Sequence, residues 1–234
     1  MNTPELPPFW ALIPAAGVGS RMAADRPKQY LEVAGKTIIE HSLACFLDHP
    51  QLLGVVVSLA LDDPYWPHLA CAAEPRLQRA EGGRERADSV LNGLLRLSEL
   101  GARDDDWVLV HDAARPNLAR SDLDLLLAEL ASDPVGGLLA VPARDTLKRA
   151  GPDGRVRETV DRATIWQAYT PQMFRLGELQ RALADALLAG VAITDEASAM
   201  EWAGHAPRLI EGRGDNLKVT RPEDLQGLRR LWRV

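Results

Sequence analysis

Phe9-Trp-Ala-Leu-Ile-Pro-Ala-Ala-Gly-Val-Gly-Ser-Arg-Met22 begins as an apolar run and turns into a loop of small residues. Phe9–Pro14 reads as a short strand, with a glycine loop from Ala15 to Arg21 at its carboxyl end. Two glycines and two alanines there let backbone N–H groups approach a ligand without side-chain obstruction. The loop is not the dinucleotide fingerprint, because Met22 stands where the third small residue belongs. Nor is it a Walker loop, since no Gly-Lys-Ser/Thr follows. A plain tight turn is the alternative.

Strands and helices alternate outward from this segment. Thr37 is placed to cap a helix over Ile38–Leu47, and Leu53–Ala60 has the Leu/Val-rich run of a strand buried on both faces. Arg86–Leu100 sets Val90, Leu94, Leu95 and Leu97 at helical spacing. Trp107–His111 reads as a strand, Ser121 as the cap of a helix over Asp122–Ala131, and Val135–Val141 as another buried strand. Helices follow near 176–189 and 195–203, with a strand near 207–211. A last helix starts at Pro222, with Thr220 and Glu223 at capping-box spacing. This rhythm predicts an α/β fold, a mostly parallel twisted sheet with helices on both faces. Ligands in such sheets collect beyond the carboxyl ends of the strands, which groups the loops after Pro14, Arg79 and Val110.

The rhythm breaks at 142–164. Gly151-Pro-Asp-Gly154 is a turn signal between two extended runs, and the segment holds six Lys/Arg against four Asp/Glu. It reads as a projecting β-arm on a single domain spanning 1–234. The whole chain is acidic, with a net charge of −6, which argues against nucleic acid or an anionic membrane as partner. No apolar run reaches the roughly 18–20 residues that span a bilayer, and the start lacks a signal-peptide pattern. Cys45 and Cys71 lack metal-site spacing and read as reduced thiols. A cytoplasmic protein is expected.

Four segments carry candidate chemistry. Arg21 and Lys28, the latter in Arg26-Pro-Lys-Gln-Tyr30, can clamp a polyphosphate where charge builds on bond breaking; solvated surface charge is the alternative. Gly82-Gly-Arg-Glu-Arg-Ala-Asp-Ser-Val90 offers backbone groups to a base edge, with Asp88 or Ser89 toward the ribose or base. His111-Asp-Ala-Ala-Arg-Pro116 ends a buried strand with a carboxylate suited to a metal-bound or ribose-bound nucleotide, while His111 reads as a core residue. Gly212-Arg-Gly-Asp-Asn-Leu-Lys-Val-Thr220 presents Asp215 and Lys218 beside a glycine turn. Thr194-Asp-Glu-Ala197 reads as a helix cap without chemistry.

Together these segments resemble the 2-C-methyl-D-erythritol 4-phosphate cytidylyltransferase family of the non-mevalonate isoprenoid pathway. The likeness runs from Trp10 to Leu225 through PAAGVGSRM, RPKQYL, GGRERADSV, VHDAARP, DTLKR, TVDR, TPQ, TDEASAMEW and GDNLKVTRPEDL. It implies a nucleotide-diphospho-sugar transferase type of fold, Mg2+ or another divalent cation, and a homodimer through the arm. CTP and 2-C-methyl-D-erythritol 4-phosphate are the implied substrates. Arg21 and Lys28 would then act at the triphosphate, with Arg162 and Lys218 aiming the attacking oxygen. Ala15, Ala16, Gly17, Gly19, Gly83, Ser89 and Asp112 would hold CTP. Ala113, Arg115, Thr146, Thr170 and Asp215 would hold the polyol phosphate, to which Asp112 could equally belong. Asp112 and Asp215 are the candidate metal ligands. Tyr169 stands where the family leads one to expect an aliphatic residue. A ribitol 5-phosphate cytidylyltransferase is the nearest alternative, and a non-catalytic or dinucleotide-dependent nucleotide-binding module the alternative from another class.

Overall fold

A computed structural model of the chain describes residues 6–17 and 26–234. The elements run β1 (Phe9–Pro14), a ribbon of β2 (Glu32–Val33) and β3 (Lys36–Thr37), α1 (Ile38–Leu47), β4 (Leu52–Leu59), β5 (Leu77–Glu81) and α2 (Arg86–Glu99). β6 (Trp107–Val110), α3 (Arg120–Leu130), β7 (Gly136–Pro142), β8 (Leu147–Ala150), β9 (Val156–Val160) and β10 (Trp166–Arg175) follow. The chain ends with α4 (Leu176–Leu188), α5 (Glu196–Trp202), β11 (Arg208–Glu211) and α6 (Pro222–Trp232).

The central sheet has the order β11-β7-β10-β6-β1-β4-β5. β1 is parallel to both β4 and β6, β5 is parallel to β4, and β11 is parallel to β7. Only β10 runs against its neighbours, β6 and β7. From β1 the chain steps outward to β4 and β5, then returns to the far side of β1 as β6. Such a reversal opens a crevice beyond the strands' carboxyl ends.

Alternation along β1 fills both faces of the sheet. Phe9, Ala11 and Ile13 join Ile39, Leu43 and Phe46 of α1 and Leu123 and Leu126 of α3. Leu12 joins Val90, Leu94 and Leu97 of α2 and Leu179 and Leu183 of α4. Burial from both sides explains the near-continuous apolar runs of β1, β4 and β6. Thr37 caps α1 as expected, in a reciprocal box with Glu40.

Two helix starts differ from expectation. α3 begins at Arg120 after Ala119, so Ser121 lies inside its first turn and caps nothing. At α6, Asp224 rather than Glu223 accepts from the backbone N–H groups of Thr220 and Arg221, at 2.9 and 2.8 Å. β10 was not anticipated at all. It contains Pro171, which argues against a strand interior; its register with β7 breaks between Ala168 and Gln172, around the cis Thr170–Pro171 bond.

β8 and β9 pair antiparallel in a ribbon separate from the main sheet. Its turn, 151–154, closes with Gly154 at φ 73°, and Arg149 meets Glu158 across the strands at 2.5 Å. The last helix packs Leu228 against Val33, Ile38 and Val219. Trp232 Nε1 donates to Asn117 Oδ1 at 2.8 Å, and Asn117 Nδ2 donates to the Asp215 carbonyl at 2.9 Å. The loop before α6 is thereby tied to the segment after β6. Cys45 and Cys71 are free; burial pushes their thiols up to about 12 and about 11, so both are protonated at neutral pH. Among the described residues no helix is long and apolar enough to cross a membrane.

Candidate active site

At the carboxyl ends of β1, β5 and β6 lies a cavity of about 360 Å³, the size of a small-ligand site. Its walls are Ala15, Ala16 and Gly17 after β1, residues 83–85 before α2 with Arg86 at its start, and Asp112, Ala113 and Ala114 after β6. Lys28 and Lys218 also line it. The turn after β5 is pressed against its surroundings, which is why it is built of glycine. A Cβ on Gly82 would collide with that of Ala16, and one on Gly83 with Asp88. Ser89 Oγ accepts from Gly83 N at 2.9 Å and donates to the Glu85 carbonyl at 3.1 Å, fixing the turn. Buried Gln29 donates through Nε2 to the carbonyls of Ala15 and Gly17, at 2.8 and 3.2 Å. The short helical turn carrying Lys28 is thus stitched to the glycine loop.

Asp112 is the electrostatic centre. Lys218 Nζ reaches its Oδ2 at 2.8 Å, Arg115 Nε the same oxygen at 3.4 Å, and Arg86 Nε its Oδ1 at 3.3 Å. Burial by itself would raise its pKa, but the charges of Arg86, Lys218 and Arg115 outweigh that and hold it well below the usual carboxylate range. Thr170 Oγ1 accepts from Asp112 N at 3.0 Å and meets His111 Nδ1 at 3.0 Å. His111 Nε2 lies 3.0 Å from the Arg115 carbonyl, which can only accept. The proton therefore sits on Nε2, Nδ1 accepts from Thr170, and the imidazole is neutral with both nitrogens satisfied. Burial takes the His111 pKa down to about 4.

That burial has a measurable sign. Between pH 6.5 and about 4 the unfolded chain takes up a proton on His111 that the folded chain refuses, so stability falls as pH falls. His49, also lowered chiefly by burial, acts in the same direction. Asp112 acts with the same sign at lower pH: its share is present above the unfolded carboxylate value and is lost only in stronger acid. Urea melts across pH 7 to 4 are expected to show stability dropping by up to about 1.4 kcal/mol per pH unit for each such histidine. A flat profile in that window would show that His111 is not held neutral.

The cavity gathers Ala15, Ala16, Gly17, Lys28, Gly83, Ser89, Asp112, Ala113 and Lys218. Thr170 and Arg115 stand behind it. Arg115 is buried, donates to the Asn216 carbonyl at 2.7 Å, and lies 4.4 Å over the Tyr169 ring. Its guanidinium meets Asp112 and gives the aromatic Tyr169 a partner. Asp215 is engaged by Arg213 and lines a separate open hollow with Arg144. Thr146 and Arg162 are exposed and outside the cavity lining, Arg162 donating to the Arg144 carbonyl. Gly19 and Arg21 lie outside the described residues. For a divalent cation the fit is partial. No three His, Cys, Asp or Glu side chains converge among the described residues, so there is no all-protein cage. Mg2+ commonly takes only one or two carboxylates, so Asp112 could serve an ion carried on substrate phosphates if the ion displaced one of the cations now on its oxygens.

The family model for 2-C-methyl-D-erythritol 4-phosphate cytidylyltransferase matches residues 9–229. The chain belongs to this family. It is 78% identical to the Pseudomonas fluorescens (strain SBW25) 2-C-methyl-D-erythritol 4-phosphate cytidylyltransferase over 228 residues, 97% of each chain. With the enzyme of that name from Pseudomonas aeruginosa (strain UCBPP-PA14) it shares 75% over 232 residues, 99% of each. Its fold matches the crystal structure of the Francisella tularensis cytidylyltransferase with a TM-score of 0.82 at 35% identity, covering 97% of this chain and all of that one. A crystal structure of 4-diphosphocytidyl-2C-methyl-D-erythritol synthase matches with a TM-score of 0.83 at 42% identity, over 97% and 99% of the two chains.

Within this cytidylyltransferase, three residues at the site escaped the reading of the sequence. Gln29 has no signal of its own within RPKQYL, although its amide braces the glycine loop. Arg86 and Glu196 form an ion pair 110 positions apart in the chain, and local spacing carries no signal for such a contact.

Proposed function

We infer that the chain transfers the cytidylyl group of CTP to the phosphate of 2-C-methyl-D-erythritol 4-phosphate, releasing pyrophosphate, in the making of isoprenoid precursors. The observation that carries this reading is one cavity walled by the main chain of two glycine-rich turns and also lined by Lys28 and Lys218. A phosphate monoester with a second pKa near 6 is already largely a dianion at neutral pH. Its oxygen attacks the α-phosphorus, and the bond to the bridging oxygen of pyrophosphate breaks. No general base is required, in keeping with a histidine whose nitrogens are both occupied. What the protein supplies is position and positive field.

In this reading Ala15, Ala16, Gly17, Gly19, Gly83 and Ser89 hold the cytidine. Arg21 and Lys28 face the triphosphate, and Lys218, kept in place by Asp112, faces the polyol phosphate beside Ala113. Mg2+ would supply charge neutralisation on the phosphates, with Asp112 as its protein ligand. The site is completed by a second copy of the chain, whose β8–β9 arm brings Thr146 and Arg162. The exposure of both residues outside their own cavity supports that arrangement. Such an enzyme works among cytoplasmic metabolites.

The test is pyrophosphate release with each nucleoside triphosphate against a panel of polyol phosphates. CTP with 2-C-methyl-D-erythritol 4-phosphate is expected to lead. The short turns crowd a small base against fixed backbone donors and acceptors, so ATP and GTP are excluded by size. UTP reverses a donor to an acceptor, and an unpaired buried polar group costs on the order of 1–3 kcal/mol. Equal turnover of ATP and CTP would overturn the reading, and preference for ribitol 5-phosphate would move the acceptor assignment.

A further inference from the structure

We propose that Glu196 and Arg86 are positioning residues, an ion-pair relay that fixes Asp112 and through it sets the Lys218 ammonium at the cavity wall. Glu196 opens α5 and is 1% exposed. Arg86 opens α2 and holds both Glu196 oxygens, with Nη1 to Oε1 at 2.6 Å and Nη2 to Oε2 at 3.2 Å. The guanidinium fork is then committed, and only its Nε edge turns to Asp112, at 3.3 Å. One oxygen of Asp112 is thus occupied by Arg86, which leaves the other for Lys218 at 2.8 Å and Arg115 at 3.4 Å.

Capping does not account for Glu196. The start of α5 is already satisfied by Asp195 and Ser198, Ser198 N donating to Asp195 Oδ1 at 3.0 Å. A carboxylate in the first turn gains a little from the helix dipole without being buried, whereas a buried one is strongly unfavourable unless paired. What the burial achieves is to aim Arg86. Released from Glu196, the arginine can present its full fork to Asp112, since bidentate pairing with a carboxylate is its preferred geometry. Lys218 then loses its partner. This inference rests on the proposed reading for its kinetic consequence but not for its structural one.

The test compares wild type, Glu196→Gln, Glu196→Asp and the double variant Glu196→Gln/Arg86→Gln. The first readout needs no turnover: the rate at which a small acylating reagent modifies Lys218, read by mass spectrometry of the intact protein's peptides. Acylation is expected to rise severalfold in Glu196→Gln, and less in Glu196→Asp, which keeps the charge. The second readout is kinetic, with kcat/KM for the polyol phosphate expected to fall about tenfold in Glu196→Gln while CTP affinity by calorimetry stays within about threefold. The double variant removes both buried charges, so a purely structural role would restore both its melting temperature and its activity. The relay restores the first and not the second. Unchanged Lys218 acylation in a folded Glu196→Gln protein, or full activity of the double variant, would overturn the proposal. A wild type inactive with these substrates would overturn the functional reading instead, with the acylation pattern still deciding the relay.

Discussion

Replacing Lys28 with alanine is expected to lower kcat by roughly 10²–10³ while raising the KM for CTP far less. Removal of one preorganised electrostatic contact to a transition state typically costs that much. The expectation rests on how the residue is mounted. Lys28 follows Pro27 and begins a turn whose next two side chains are both buried. Gln29 reaches back to the Ala15 and Gly17 carbonyls, and Tyr30 donates to Asp63 at 2.7 Å. A lysine on so fixed a base loses little freedom when charge develops beside it, which is the condition for acting on the transition state more than on the bound substrate. Steady-state kinetics separate the cases. A variant with near-normal kcat and only a raised KM would show that Lys28 merely binds CTP.

Mixing two inactive variants should restore activity if the arm serves its neighbour. In Lys28→Ala homodimers both cavities lack the lysine, and in Arg162→Ala homodimers both lack the delivered arginine. A mixed two-fold dimer concentrates both defects in one site and leaves the other complete. With random reassortment half the dimers are mixed, so activity should return to roughly a quarter of wild type. Co-expression with two affinity tags isolates the mixed species, which by itself should show about half of wild-type activity. The ribbon favours this outcome because its strands bury little of their own: Val156 is 62% exposed, and cross-strand pairs such as Lys148 with Thr159 at 2.6 Å hold it in shape without a core. Mixed dimers as inactive as their parents would place Arg162 in its own chain's chemistry.

Much of the fold was legible because local rules and global packing agree. Thr37 ahead of an apolar run states a helix start, and the run through β4 states a strand covered on both faces. β10 was hidden because Thr170-Pro171 reads as a loop; the sheet accommodates the proline where pairing with β7 lapses. Ser121 misled for the opposite reason, a good capping residue one turn position too late. At the site, the glycine turns and lysines could be found because backbone access and positive charge are local properties. Which carboxylate holds which cation is not. Beside its own neighbour Arg115, Asp112 gathers Arg86 and Lys218 from two distant places in the chain, and Asp215, equally plausible by spacing, turns instead to Arg213.

The contact of Gly82 with Ala16 also bears on how this enzyme can vary. A side chain at Gly82 must displace the Ala16 loop, and one at Gly83 the first turn of α2, so point mutation can hardly reshape that wall of the cavity. The opposite holds at Lys28 and Lys218, where one codon change alters the surface a ligand meets. An inhibitor that draws its affinity from the peptide groups of the Gly82-Gly83 turn would therefore leave few escape routes by substitution. One anchored on the ammonium groups could be lost in a single step, though at the cost of the enzyme's own turnover.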